Sequence, residues 1–284
     1  MTYIYKICGL IYRVFYKVHH WWALHPGEPL QKSKLVVVGA FLAGGAGKTP
    51  LCEFLAKEWI QKGKKVAILT HKIAWDETEW LAQQLPNVSI FPSTNRYHLA
   101  HKLDGHFDIL LCDDGFEDSR LVGAYKIALR WGERAQSIQD LLPSGKCRSL
   151  EKDHQNISLT LLCGKAFESP DVDFLIPKIE NEESMAPPQK AIAMCGLGSP
   201  KRFFEDLKKG GIVLSQKIAL KDHSSHFAKR VARELTRGEP IIMSAKDAVR
   251  LSSALLKNPL VFVAQQKVMM REAVLARINK DLDL

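Results

Sequence analysis

The sequence predicts an α/β protein: a parallel sheet flanked by helices, a smaller C-terminal α/β lobe, and an amphipathic helix ahead of both. Three observations carry this. Short apolar runs alternate in strict turn with helical patterns from Lys34 to Cys163, which implies a parallel sheet with right-handed crossovers. A glycine-rich turn, Gly44-Gly45-Ala46-Gly47, separates the first apolar run from the first helical pattern. In such sheets ligands gather at the carboxyl ends of the strands. The alternation then pauses over a Pro-, Glu- and Asp-rich stretch, 168–189, and resumes beyond it.

In order, strands are predicted over 35–38, 65–69, 88–91, 108–112, 126–129 and 158–163, with helices over 50–61, 77–85 and 95–103. Beyond the pause come strands at 191–195, 212–220, 240–243 and 260–264. Helices are predicted there at 200–209, 225–237, 246–255 and 269–280. The expected division is a helix over 1–25, a core over 34–167, a junction over 168–189 and a lobe over 190–284.

A chain of 284 residues with 46% hydrophobic and 25% charged content can bury a large core and is not a disordered polymer. Forty Lys+Arg against 31 Asp+Glu leave +9, which suits an anionic partner: nucleotide, phospholipid surface or nucleic acid. Neither a reading helix nor an aromatic-studded sheet is evident, so nucleic acid is not expected. The six cysteines (Cys8, Cys52, Cys112, Cys147, Cys163, Cys195) form no C-x-x-C pair and no Cys/His cluster. That fits reduced, buried thiols rather than a disulfide framework or zinc site.

In the first 24 residues, Ile4, Ile7, Leu10, Ile11, Val14, Phe15, Val18, Trp21 and Trp22 recur at helical spacing. Lys6, Arg13 and Lys17 fall mostly off that stripe but interrupt the apolar run, so the segment is too charged to span a membrane or to serve as a signal peptide. No acidic residue precedes Glu28. A basic, aromatic-rich amphipathic helix is suited to lie on an anionic membrane surface. A helix packed on the main domain would show the same stripe.

Residues Gly44-Gly45-Ala46-Gly47-Lys48-Thr49-Pro50 read as a phosphate-binding loop, and the core as P-loop NTPase-like. Glycines let backbone N–H groups turn toward an anion, and the helix that follows adds its positive end. Lys48, expected to be solvated, would reach the β/γ-phosphates of ATP, and the Thr49 hydroxyl would bind Mg²⁺. The strict Walker pattern wants glycine at position 42, where this chain has leucine. Phe107 to Phe116 is an apolar strand ending in Asp113-Asp114-Gly115, and either carboxylate could hold Mg²⁺ or its water shell.

These residues resemble the tetraacyldisaccharide 4'-kinase family. Val38-Gly39 through Pro50 is similar to that family's nucleotide loop, and Asp113 to Phe116 with Arg120-Leu121 to its acidic segment. Four further stretches follow in the family's order: Leu141 to Arg148, Gly196 to Phe204, Asp222-His223, and Lys246 to Val249. The resemblance implies a kinase at the cytoplasmic face of the bacterial inner membrane. It would use ATP and Mg²⁺ to phosphorylate the 4'-hydroxyl of an acylated glucosamine disaccharide 1-phosphate, giving lipid IVA in lipid A biosynthesis. It also implies Asp76 as the proton acceptor with His223 as its partner, and Arg148 as a donor to phosphate charge.

The chain departs from the family at several points. Ala40 replaces an asparagine, Glu117-Asp118 a Gln-His pair, and Ser149 and Ala245 each a glutamate. The acceptor segment after the second strand shrinks to Thr70-His71-Lys72. Two rivals follow: a non-catalytic or redirected member of the family, and a membrane-associated P-loop ATPase switch. The second lacks its signature lysine, since Ala43 precedes the Gly44-Gly45 pair.

Overall fold

The computed structural model describes residues 10–11, 13–14, 27–132, 135–154, 156–183, 185–222 and 224–284. They form two compact units. The first comprises Met1–Ile73, Gln84–Asp173 and Met270–Leu284; the second comprises Ala74–Gln83 and Phe174–Met269.

The first unit holds six strands: β1 (Lys34–Ala40), β2 (Val66–His71), β3 (Ser89–Ser93), β4 (Ile109–Asp113), β5 (Tyr125–Arg130) and β6 (Leu159–Leu162). Their order is β3-β2-β4-β1-β5-β6, and every pairing is parallel. Central strands covered on both faces read as unbroken apolar runs rather than alternations. Val36, Val37 and Val38 accordingly have no accessible surface. The Lys48–Gln61 helix packs along β1, β2 and β4 and buries Leu51, Leu55 and Trp59.

The second unit is built on a five-stranded sheet ordered β7-β11-β10-β8-β9. These strands are β7 (Val172–Glu180), β8 (Lys190–Cys195), β9 (Val213–Ala219), β10 (Ile241–Ser244) and β11 (Val261–Met270). Successive side chains of a strand point to opposite faces. Ala191, Ala193 and Cys195 therefore join one cluster with Phe203, Phe204 and Leu207. Ile192 and Met194 join another with Phe227, Val231 and Leu251.

Four expectations differ from this architecture. The stretch 168–189 is not a bare junction, because β7 lies within it and extends the second sheet. The helix expected over 246–255 is two short ones, Ala245–Ala248 and Ser253–Leu256. Val249 closes the first, and Ser252 caps the second by accepting from the Leu255 N–H. The Glu272–Asp281 helix belongs to the first unit rather than the C-terminal lobe: buried Asn279 accepts from the Trp59 indole N–H at 3.0 Å. The Trp75–Gln84 helix lies almost wholly in the second unit, through the buried ion pairs of Asp76.

The amphipathic segment 1–25 lies outside the described residues apart from Leu10, Ile11, Arg13 and Val14, which are helical. Leu10, Ile11 and Val14 are exposed, while Arg13 pairs with Asp153 at 3.6 Å. Among the described residues, no helix is long and apolar enough to cross a membrane.

Candidate functional site

The glycine loop expected to bind phosphate leaves β1 at its carboxyl end. Gly44, Gly45 and Gly47 take φ of 85°, 64° and 85°, a left-handed conformation that favours glycine. Leu42 does not: its backbone bridges antiparallel to Cys147, so the position where the Walker pattern has glycine is extended here. The Trp131 indole N–H donates to the Ala46 carbonyl at 2.8 Å and fixes the loop's far side. The Lys48–Gln61 helix starts with no side-chain cap and no acidic residue in its first turn. Pro50 is tolerated there because the first turn's N–H groups have no intrahelical partner. The uncapped amides and the helix dipole together favour an anion at this end.

Arg148 reaches the loop by backbone pairing. Its N–H donates to the Phe41 carbonyl at 2.8 Å, and the Ala43 N–H donates to the Lys146 carbonyl at 2.9 Å. The guanidinium then meets Asp114 Oδ2 at 3.1 Å, while Lys48 Nζ lies 3.6 Å from Asp114 Oδ1. Burial acts to raise the Asp114 carboxyl, but the charges of Lys48, Arg148 and Arg96 outweigh it and hold the group below its ordinary value. Lys48 itself is buried rather than solvated, which corrects the sequence expectation; it lies along Asp114, close enough to Cys52 to act on its thiol.

The two adjacent carboxylates have different surroundings. Asp113 is buried at the end of β4, opposite Val38 of β1, close enough to Cys52 of the loop helix for its charge to act on the thiol. Burial, then the Asp113 charge, pushes that thiol well above its usual range, so Cys52 is a packing residue and not a nucleophile. Asp114 sits in the following turn at φ 55°, with its side chain 30% exposed and turned to Lys48 and Arg148. Arg96 Nη1 clamps this turn by donating to the Asp113 carbonyl at 2.8 Å and the Asp114 carbonyl at 2.9 Å.

The second unit carries its own charged cluster. Asp76, in the first turn of the Trp75–Gln84 helix, has no accessible surface, and its Oδ2 accepts from Arg250 Nε at 3.1 Å and from Arg250 Nη2. Lys246 Nζ lies 2.9 Å from Glu77, 3.1 Å from Asp222 and 3.9 Å from Asp76. Burial lowers the Lys246 ammonium, but the Glu77, Asp222 and Asp76 carboxylates outweigh it and raise the group. Asp247 is fully buried and accepts from the Ser244 hydroxyl at 2.6 Å and the Gly196 N–H at 3.0 Å. Burial raises its carboxyl despite these partners.

Of the sequence-predicted residues, Gly44 to Pro50, Arg148, Asp113 and Asp114 come together in the first unit, and Asp76 lies in the second. His223 lies outside the described residues, and Asp222 is the residue before it. The departures have local structures. Asp118 is chelated by Arg120 at 2.8 and 2.9 Å, and buried Ser149 meets His154 Nε2 at 2.6 Å. His71 ends β2 and accepts from the Ile73 N–H at 3.2 Å; burial, then Arg96, lowers its imidazole. Two arginines went unremarked in the sequence. Arg96 had a signal in its position directly after the helix-capping Asn95. Arg250 stands four residues after Lys246, which would place the two on one helical face.

Comparison with known proteins gives these features a family. The model of the family described as tetraacyldisaccharide-1-P 4'-kinase matches residues 4–283. The tetraacyldisaccharide 4'-kinase of Haemophilus influenzae (strain 86-028NP) is 27% identical over 246 residues, covering 77% of this chain and 74% of that protein. That of Pasteurella multocida (strain Pm70) is 29% identical over 252 residues, covering 79% and 77%. The crystal structure of LpxK from Aquifex aeolicus in complex with ATP superposes with a TM-score of 0.64 at 23% identity. It covers 99% of this chain and 96% of that one, a likeness of fold. A glycine loop flanked by Lys48, Asp114 and Arg148, on a six-stranded parallel sheet that the family model spans from end to end, makes this chain a member of the tetraacyldisaccharide-1-phosphate 4'-kinase family.

Proposed function

We propose that this protein transfers the γ-phosphate of ATP to the 4'-hydroxyl of a tetraacyl-disaccharide 1-phosphate, the step that yields lipid IVA in lipid A biosynthesis. The observation that carries this reading is the convergence of Lys48 and Arg148 on Asp114 beside the uncapped start of the Lys48–Gln61 helix. Family membership supplies the acceptor.

Phosphoryl transfer is largely positioning and charge stabilisation. The amides from Gly44 to Thr49 and the Lys48 ammonium hold the phosphates, and Arg148 presents its fork to charge developing on the transferred group. Hard oxygen donors are what Mg²⁺ takes, usually one or two carboxylates completed by phosphate and water. Thr49 and the Asp113–Asp114 pair fit that requirement. Asp114, turned toward the loop lysine, is the better placed carboxylate. Bound there, Mg²⁺ would neutralise phosphate charge. The acceptor oxygen attacks the γ-phosphorus as the bond to the β-phosphate oxygen breaks and ADP leaves. Asp76 and His223 act as one unit that takes the hydroxyl proton. A lipid acceptor calls for a membrane-facing segment, so we assign residues 1–25 to the anionic inner leaflet as a peripheral contact.

The test is the position of the new phosphate. Purified protein given ATP, Mg²⁺ and the disaccharide 1-phosphate should form a product with one added phosphate, at 4' by phosphorus NMR. Phosphate appearing only as inorganic phosphate would contradict the reading. Removing Asp76 or His223 singly should lower kcat by about 10²–10⁴, with the double variant little worse than the poorer single. Losses that multiply would mean two separate roles.

A further inference from the structure

We infer that Arg250 is a positioning residue for phosphoryl transfer, holding Asp76 and Asp222 in one rigid frame; this rests on the reading of Asp76 as part of the proton-accepting unit. Arg250 is itself immobilised. Its side chain is 5% exposed, its guanidinium stacks 5.8 Å from the centroid of the fully buried Phe227 ring, and Nη1 meets Asp247 at 3.2 Å. A side chain added at Gly196 would come within 2.9 Å of Nη1, so the strand-end glycine leaves room for the guanidinium.

From this seat Arg250 faces two further carboxylates. Nε and Nη2 both donate to Asp76 Oδ2, and Nη2 lies 3.8 Å from Asp222. Asp222 directly precedes His223 in the chain, so one guanidinium touches the carboxylate of the base and the neighbour of its partner. The Asp76 Oδ1 atom accepts the N–H of Glu77 at 3.0 Å, which fixes the rotation of the carboxylate as well. Among the described residues, Glu77 from its own helix, Lys246 and Asp247 from the Ala245–Ala248 helix, Arg250 just beyond it, and Asp222 from the turn after β9 bring charge to the surroundings of Asp76. Lys246 is a point charge shared among three of these carboxylates, whereas Arg250 provides the planar fork. The fork sets direction and the ammonium sets charge.

The test compares Arg250→Lys, Arg250→Met, Arg250→Ala, Asp76→Ala and the Asp76→Ala/Arg250→Met double variant in the full chain, with thermal unfolding measured for each. Arg250→Lys should lower kcat about 10-fold and Arg250→Met about 10²–10³-fold, with KM for ATP within about two-fold of wild type. Losing the guanidinium should move the acidic limb of the kcat/KM pH profile upward, because a carboxylate without its cation is protonated more readily. Free guanidinium ion should restore much of the activity of Arg250→Ala and none of that of Asp76→Ala. The double variant should be no worse than Asp76→Ala. Arg250→Lys and a folded Arg250→Met both at wild-type kcat, beside an impaired Asp76→Ala, would overturn the role of Arg250 and leave the base standing. Should Arg250→Met fail to fold, wild-type kcat in Arg250→Lys with no guanidinium rescue would overturn it equally. Full activity in Asp76→Ala would instead remove the base on which the inference rests.

Discussion

Lys48 and Arg148 converge on the Asp114 carboxylate, and the proposed phosphoryl transfer would depend on all three. Lys48→Ala should lower kcat by at least about 10²-fold, the scale for losing one preorganised donor to transition-state charge. Its thermal unfolding should stay close to wild type, because Arg148 and Arg96 still face Asp114. Asp114→Asn should lower kcat and weaken the dependence on Mg²⁺ more than Asp113→Asn, and a Mg²⁺ titration of both variants decides between the carboxylates. Equal and unchanged metal dependence in the two would contradict the assignment. The sign of the pH effect follows from the lowered Asp114 carboxyl. A carboxylate whose folded value is depressed stabilises the protein above its unfolded value and ceases to do so as pH falls through the folded one. The gap in unfolding temperature between wild type and Asp114→Asn should therefore be widest above the ordinary carboxylate range and close as pH falls below it. At this scale the sequence exposed the glycine loop, Lys48 and the paired aspartates, because each is fixed by local spacing. It did not expose what Arg96 and Arg250 do, because Asp113, Asp114 and Asp76 lie 17, 18 and 174 positions from them, beyond any short window.

The central strands of the first sheet were legible as apolar runs because they are buried on both faces, and the glycine loop was legible as the break between one such run and a helix. Leu42 was the puzzling position in that loop. Its bridge to Cys147 explains why an extended residue serves where the strict pattern has glycine. Gly39, one residue before the carboxyl end of β1, is constrained for a different reason: a Cβ there would lie 2.1 Å from the Phe116 ring. Gly39→Ala should cost about 1–3 kcal/mol by overpacking, measured by denaturant unfolding, and should move Phe116 and the adjoining Asp114 turn with it. Unchanged stability would mean the ring has room to shift. The Glu272–Asp281 helix was legible as a helix, though not as part of the first unit, since its attachment rests on the Trp59–Asn279 hydrogen bond across 220 positions. Trp59→Phe leaves the buried Asn279 oxygen without that donor and should cost about 1–3 kcal/mol, read from the same unfolding curves.

At the scale of the whole molecule, the formal charge of +9 and the acid-free N-terminal stretch are both what the proposed contact with anionic lipid would require. Deleting residues 1–24 should weaken flotation with anionic vesicles far more than with neutral ones, and added salt should weaken the binding of the intact chain. Equal vesicle binding with and without the segment would contradict its assignment to the membrane. The division into two units was legible only in outline. The second unit takes in the Trp75–Gln84 helix from the middle of the first unit's sequence and gives up the last helix, exchanges that composition shifts do not mark. The proposed activity is phosphorylation of the 4'-position of a disaccharide 1-phosphate from ATP. The most direct measurement follows label from the γ-phosphate of ATP in the presence of tetraacyl-disaccharide 1-phosphate, with wild type and Lys48→Ala side by side. Label should appear in the lipid with wild type, stay out of it with Lys48→Ala, and vanish when the 4'-hydroxyl of the acceptor is blocked. A wild-type protein that binds ATP yet leaves the lipid unlabelled, or that labels the blocked acceptor equally well, would contradict the account.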